Sequence, residues 1–153
     1  MQAGHGSVTS DVGVEWLGKK GSWSFYVALL LIGRVLVSIL GLEPSAAWTL
    51  VNIGHCVVTF ITFHWCKGSP FPTYWLYVPE NEDTYTWWEQ IDRGWQFTPS
   101  RKFCIVLVIV LYLFAVGATP WSNVWMHMLN FVAFLVSLTP KLPCMDKVRI
   151  FRD

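Results

Sequence analysis

Four histidines and four cysteines are the side chains best suited to metal or nucleophilic chemistry in this chain, and their spacing supports neither. His5, His55, His64 and His127 make no H-E-x-x-H and no i, i+4 pair that would turn two imidazoles toward one metal. Cys56, Cys66, Cys104 and Cys144 stand 10, 38 and 40 residues apart without a C-x-x-C, so isolated reduced thiols are expected. Cys66, Cys104 and Cys144 fall near the ends of apolar runs, where palmitoylation is an option. There is no G-x-S-x-G and no glycine-rich phosphate loop. No catalytic residue, metal ligand or cofactor is expected.

Polar residues inside apolar runs are more informative. At 100° per residue, Asn52, His55, Thr59 and Thr62 share a helical arc of about 80°. Asn123, His127, Asn130 and Ser137 share a second arc of about 80°. In lipid such groups must be satisfied by protein, so both stripes are expected to face inward or toward a partner. Bundle packing and contact with a partner or lipid headgroup remain two open readings. Arg34 stands alone near the middle of its run, with Ser38 one turn on. A charge at that depth costs about 2.5–3.5 kcal/mol on the insertion scale, which points it into a bundle or at a partner's acid or carbonyls.

The elements that must carry these residues follow from composition. The chain has 153 residues, 54% hydrophobic, 16% aromatic and 14% charged, against about 25% charged in a soluble domain. Ten Trp and ten Phe are more than one small aqueous core would hide. The net charge of +1 supplies no field for a polyanion, so nucleic acid is not an expected partner. Residues 22–42, 46–66, 103–119 and 123–139 are apolar runs compatible with a hydrocarbon core of about 30 Å. The first begins 21 residues in and is too long for a cleavable signal, so it is expected to stay in the mature protein. The fold class expected is an all-α membrane protein, with four transmembrane helices in two hairpins.

Charge placement orients it. Apart from Arg34, every Lys and Arg lies in residues 1–21, 67–102 or 140–153, and none in the turns at 43–45 and 120–122. The positive-inside rule then puts both termini and the long loop in the cytosol. Residues 1–21 read as a cytosolic N-terminal segment, 22–139 as the membrane domain and 140–153 as a basic tail. Within the loop, Thr86-Trp87-Trp88-Glu89 fits a capping box that opens a short amphipathic helix. Trp88, Ile91 and Trp95 share its apolar face, and Gly94 limits its length. It is expected on the membrane surface or docked on the bundle.

Several blocks resemble the Orm/ORMDL family, small four-span residents of the endoplasmic reticulum. They are Trp48-Thr49-Leu50-Val51-Asn52-Ile53-Gly54-His55, His64-Trp65-Cys66-Lys67-Gly68-Ser69-Pro70-Phe71, Trp88-Glu89-Gln90-Ile91-Asp92 and Ser100-Arg101-Lys102-Phe103. Pro140-Lys141-Leu142-Pro143 with Val148-Arg149-Ile150-Phe151 is similar to the family's carboxy-terminal signature. The resemblance implies a non-enzymatic regulator in the endoplasmic reticulum membrane that binds the serine palmitoyltransferase catalytic subunits and restrains them when ceramide is abundant. It implies that the N-terminal segment enters the enzyme's substrate path, with ceramide holding it there.

On that basis Gly13, Val14, Glu15, Trp16 and Trp23 are the expected ceramide-sensing positions. Met1, Arg34, Asn52, His55, Thr59 and Asn130 are the expected partner contacts. Counting back from Gly21-Ser22-Trp23, the family's ceramide-contacting Asn falls on Gly13, which has no side chain to donate or accept. The alternative is a small membrane lipid-modifying enzyme or lipid carrier that uses the His and Asn stripes directly.

Overall fold

Two glycines set the limits of the first long helix. In the computed structural model, which describes residues 15–67, 86–94 and 97–145, Gly21 (φ 88°) precedes α1, Ser22–Ile39, and Gly41 (φ 70°) follows it. Only a residue without Cβ takes that left-handed backbone cheaply, so the helix stops three residues short of the expected Leu42. Pro44, which needs no intrahelical donor, then opens α2, Pro44–Phe60. α2 runs on into a π-helical turn, Ile61–Trp65, closed by the Cys66 N–H donating to the Ile61 carbonyl at 2.9 Å.

After the loop come the four-residue α3, Trp87–Gln90, and then α4, Pro99–Ala118, and α5, Val124–Leu138. Thr98-Pro99 reads in sequence as a cap followed by a first-position proline, and the structure agrees: the Thr98 hydroxyl accepts from the Arg101 N–H and α4 starts at Pro99, four residues ahead of the apolar run from Phe103. Asn123 caps α5 by accepting from the Met126 N–H. The described residues form no strand, only an isolated bridge between Lys67 and Thr86.

The regular structure of the described residues is thus all helical, and among them three helical segments are long and apolar enough to cross a membrane: Ser22–Ile39, Pro44–Trp65 and Pro99–Ala118. α5 has 15 residues and spans about 22 Å at 1.5 Å rise, before a 3-10 turn at Thr139–Lys141 extends it.

α2 is the central helix and touches α1, α4 and α5. It buries Ser45, Ala47, Thr49, Asn52, His55, Cys56 and Thr59 and turns Leu50, Val57, Val58 and Ile61 outward. That is inverted relative to a soluble helix and suits a lipid solvent, where small and polar residues mediate helix contact. α1 runs antiparallel to α2, since Tyr26 meets His55 and Arg34 meets Trp48. It has no buried residue and lies against the outside of the α2–α4–α5 core.

The amphipathic loop helix is docked on the bundle. Its capping box is complete: the Thr86 N–H donates to Glu89 Oε2 at 2.8 Å and the Glu89 N–H to Thr86 Oγ1 at 3.4 Å. At Ile91 the α-helix gives way to a 3-10 turn, Ile91–Gly94, in which Asp92 adopts φ 52°, a left-handed backbone that Asp tolerates, and the helical stretch ends at Gly94 as expected. Trp88 and Ile91 are buried as their shared face requires, while Trp95 lies outside the described residues.

Candidate functional site

The loop end of the bundle, where α1 and α4 begin and α2 and α5 finish, gathers the most unusual side chains. Trp88, 3% exposed, has the Arg101 guanidinium carbon 5.2 Å and the Lys141 Nζ 6.0 Å from its ring centroid. Phe63 and His64, carried by the π turn, lie 6.0 and 5.6 Å away. The π turn has a local purpose: it aims both rings at α3. Arg101 Nη2 donates to the Trp88 carbonyl at 2.9 Å and to the Glu89 carbonyl at 3.4 Å. The guanidinium thereby satisfies carbonyls that the four-residue α3 leaves open.

Lys141 reaches back one turn, donating to the Ser137 carbonyl at 2.8 Å and to Ser137 Oγ at 3.4 Å. Burial pushes its ammonium from the usual 10.5 down to about 8, against the opposing influence of Cys104 and Cys56. Between those values the unfolded chain binds more protons than the folded one. This group therefore makes stability rise as pH goes from about 8 to 10.5. Thermal unfolding followed by tryptophan fluorescence is expected to show that rise, and Lys141→Met to flatten it; an identical profile in the variant would contradict the assignment.

The same cluster anchors the N-terminal segment. Residues 15–18 form a 3-10 turn, Glu15–Gly18, in which Leu17 is 1% exposed and packs with Phe63, Trp88, Ile91 and Cys104. The Trp23 indole N–H donates to the Leu17 carbonyl at 2.9 Å, and its ring stacks on Phe103 with centroids 4.9 Å apart. Asp92 completes the contact to α4, its Oδ1 accepting from Ser100 Oγ at 3.4 Å. Of the expected sensing positions, Trp23 is therefore placed at the base of the segment and Glu15 and Trp16 in the turn before it. Met1, Gly13 and Val14 lie outside the described residues.

The polar stripes meet each other. Asn52 Nδ2 donates to Asn130 Oδ1 at 3.0 Å, and Asn130 Nδ2 donates to Thr49 Oγ1 at 2.8 Å and to the Met126 carbonyl at 2.9 Å. His55 Nε2 shares a hydrogen bond of 3.0 Å with the Tyr26 hydroxyl. Thr59 and Thr62 donate to carbonyls one turn back, those of His55 and Val58. Asn52, His55, Thr59 and Asn130, expected as partner contacts with bundle packing as the other reading, are buried within the chain, where α2 and α5 present these groups to one another or to α1. The second stripe also divides: Asn123 becomes a helix cap and His127 stacks on Trp121, while Asn130 and Ser137 turn inward. Cys104, weighed for palmitoylation, is likewise buried, whereas Cys144 is exposed. Arg34 alone among the expected helix contacts lies partly exposed on an outer face.

A family model described as the ORMDL family matches residues 11–149 of the chain. The chain belongs to the ORMDL family. ORM1-like protein 2 of Homo sapiens is 38% identical over 138 residues, covering 88% of this chain and 86% of that protein. Protein ORM1 of Saccharomyces pastorianus is 32% identical over 139 residues, covering 88% and 89%. An uncharacterized protein of Schizosaccharomyces pombe is 37% identical over 138 residues, covering 90% and 72%.

In this ORMDL chain the blocks that carried the resemblance converge. His64, Trp88, Arg101 and Lys141 come from four blocks far apart in sequence and meet around one indole ring. Leu17, Arg101 and Lys141 were not expected at the site. The charges read as interfacial, and the one available signal was the apolar face of Trp88 and Ile91, which needed a surface to cover it.

Proposed function

We propose that this ORMDL protein is a non-enzymatic regulatory subunit that restrains serine palmitoyltransferase in the endoplasmic reticulum membrane and so limits sphingolipid synthesis. In this reading α1, α2, α4 and α5 form four spans in two hairpins, with both termini and the α3 loop in the cytosol. The bundle docks in the membrane on the enzyme's catalytic subunits, and residues 1–14 enter the substrate path. Ceramide, bound near residues 13–16 and Trp23, stabilises the inhibited arrangement; it does so only if it binds that arrangement better than the free one.

The observation that carries the reading is the anchoring of Leu17 and Trp23. A segment meant to act on a partner needs a fixed base, and this one is pinned to the bundle immediately before α1. The outer face of α1, with Phe25, Leu29, Ile32 and Leu36 all more than half exposed, is the surface left for a transmembrane partner. Family membership supports the direction of control.

Removal of residues 1–14, which leaves Leu17 and Trp23 in place, separates docking from inhibition. In a reconstituted complex the truncated chain is expected to copurify with the enzyme while condensation of serine with palmitoyl-CoA returns to its unrestrained rate. Undiminished inhibition by the truncated chain would sink the proposal.

A further inference from the structure

Arg34 presents a charge that the chain itself only partly satisfies. A guanidinium carries five N–H donors. Here Nη1 donates to Ser38 Oγ, and Nε is buried with no hydrogen-bond partner among the described residues. The remaining contact is with a ring: Cζ lies 5.0 Å from the Trp48 centroid, and Trp48 stacks on Phe114 at 4.8 Å. Glu43, the acid of the adjacent turn, makes no ion pair with it among the described residues.

Direction and depth identify what completes the shell. Helical side chains ordinarily lean toward the N-terminus of their helix. Arg34 runs the other way, one turn toward the end of α1, where the open carbonyls favour a cation. Its Cα lies about 7.5 Å before that of Ile39, so the charge reaches the last turn of the helix. Trp121 and Trp125, 87% and 82% exposed, mark that same end as an interface, the level at which aromatic belts and headgroups sit. On the side of Arg34 facing the membrane interior, Val27 and Leu31 occupy positions i−7 and i−3 and are exposed. A guanidinium above an apolar track, beside an indole, matches a phosphate above an acyl chain.

We propose that Arg34, with Ser38 and Trp48, binds the phosphate of a phospholipid in the leaflet at the turn end of the bundle, the acyl chain lying along Leu31 and Val27. The planar fork suits a phosphodiester, whose oxygens accept two parallel N–H bonds. A partner's carboxylate would fit the fork too, but would carry its own cost of leaving water. Phospholipid phosphate is already present at this depth. The inference is independent of the regulatory reading.

The test is native mass spectrometry of the full chain, exposed to phosphatidylcholine or to diacylglycerol with the same acyl chains. The wild-type chain is expected to retain the phosphate-bearing lipid at least about tenfold better, Arg34→Gln to lose that preference, and Arg34→Lys to keep part of it. Inorganic phosphate is expected not to displace the lipid. Circular dichroism checks the fold of Arg34→Gln; if it does not fold, Ser38→Ala and Arg34→Lys carry the test through a severalfold loss of preference. Equal retention of both lipids by the wild-type chain, or an unchanged preference in the folded variants, would overturn the proposal. So would a purified partner complex in which position 34 cross-links to a transmembrane acid and holds no phospholipid.

Discussion

Replacement of Trp88 by alanine is expected to lower the free energy of unfolding by about 3–5 kcal/mol and to release α3 from the bundle. Trp88 is 3% exposed and its ring meets side chains from three other elements. A Trp buries about 150–250 Å², and in a short helix that cannot hold itself this contact supplies the docking energy. Two buried cations also lose their π face at once. The control is Trp65→Ala: Trp65 is 62% exposed, so its loss is expected to cost about 0.5 kcal/mol or less in detergent.

Thermal unfolding, with hydrogen exchange at residues 87–90, measures both. Combining Trp88→Ala with Arg101→Met is expected to show a coupling of about 0.5–3 kcal/mol, since the two share one contact. Equal costs for Trp88→Ala and Trp65→Ala would refute the arrangement. Leu17 lies in the same cluster, so Trp88→Ala is also expected to speed proteolysis after Lys19 and Lys20.

What was readable beforehand, and what was not, divides by the range of the interaction. Thr98 with Pro99, the Thr86 and Glu89 box and the first three apolar runs are local signals, and each holds in the structure. The end at Gly94 was readable, but the change from α-helix to 3-10 turn at Ile91 was not, since no glycine or proline marks it. Arg101 and Lys102 show the limit of local reading. They are adjacent cations at a helix start, yet Arg101 is buried and Lys102 exposed, and the difference is set by carbonyls 12 and 13 residues upstream. Lys141 is the same problem at longer range, since its neighbour Trp88 belongs to another element.

The stripes were legible as shared faces that need protein, whether the bundle or a partner, because periodicity gives a direction. It gives no partner, so the pairing of Asn52 with Asn130 could not be read from either helix alone. Nor does periodicity reveal that Asn123 serves as a cap, where backbone donors compete for its side chain.

That pairing yields the other large effect. Asn130 is 0% exposed, and its amide is fully engaged: Oδ1 accepts from Asn52, and Nδ2 donates to Thr49 and to the Met126 carbonyl. Hydrogen bonds between helices in lipid average about 0.6 kcal/mol and reach about 1.7. A single deletion here does more than remove bonds, because Asn52 Nδ2 and Thr49 Oγ1 remain buried with a partner gone, at about 1–3 kcal/mol for a stranded polar group. Asn130→Leu is therefore expected to cost about 2–4 kcal/mol.

The sign of the second step distinguishes a knot from ordinary packing. Asn52→Leu combined with Asn130→Leu removes both partners, and the pair is expected to cost less than the two single changes together. Lipid offers no hydrophobic drive for α5 to stay against α2, so loosening would be felt between those helices first. Cys56, buried on α2, reports it: Asn130→Leu is expected to accelerate labelling of its thiol, and the double variant to slow it again. Additive costs and an unchanged labelling rate would mean that α2 and α5 are held by shape alone.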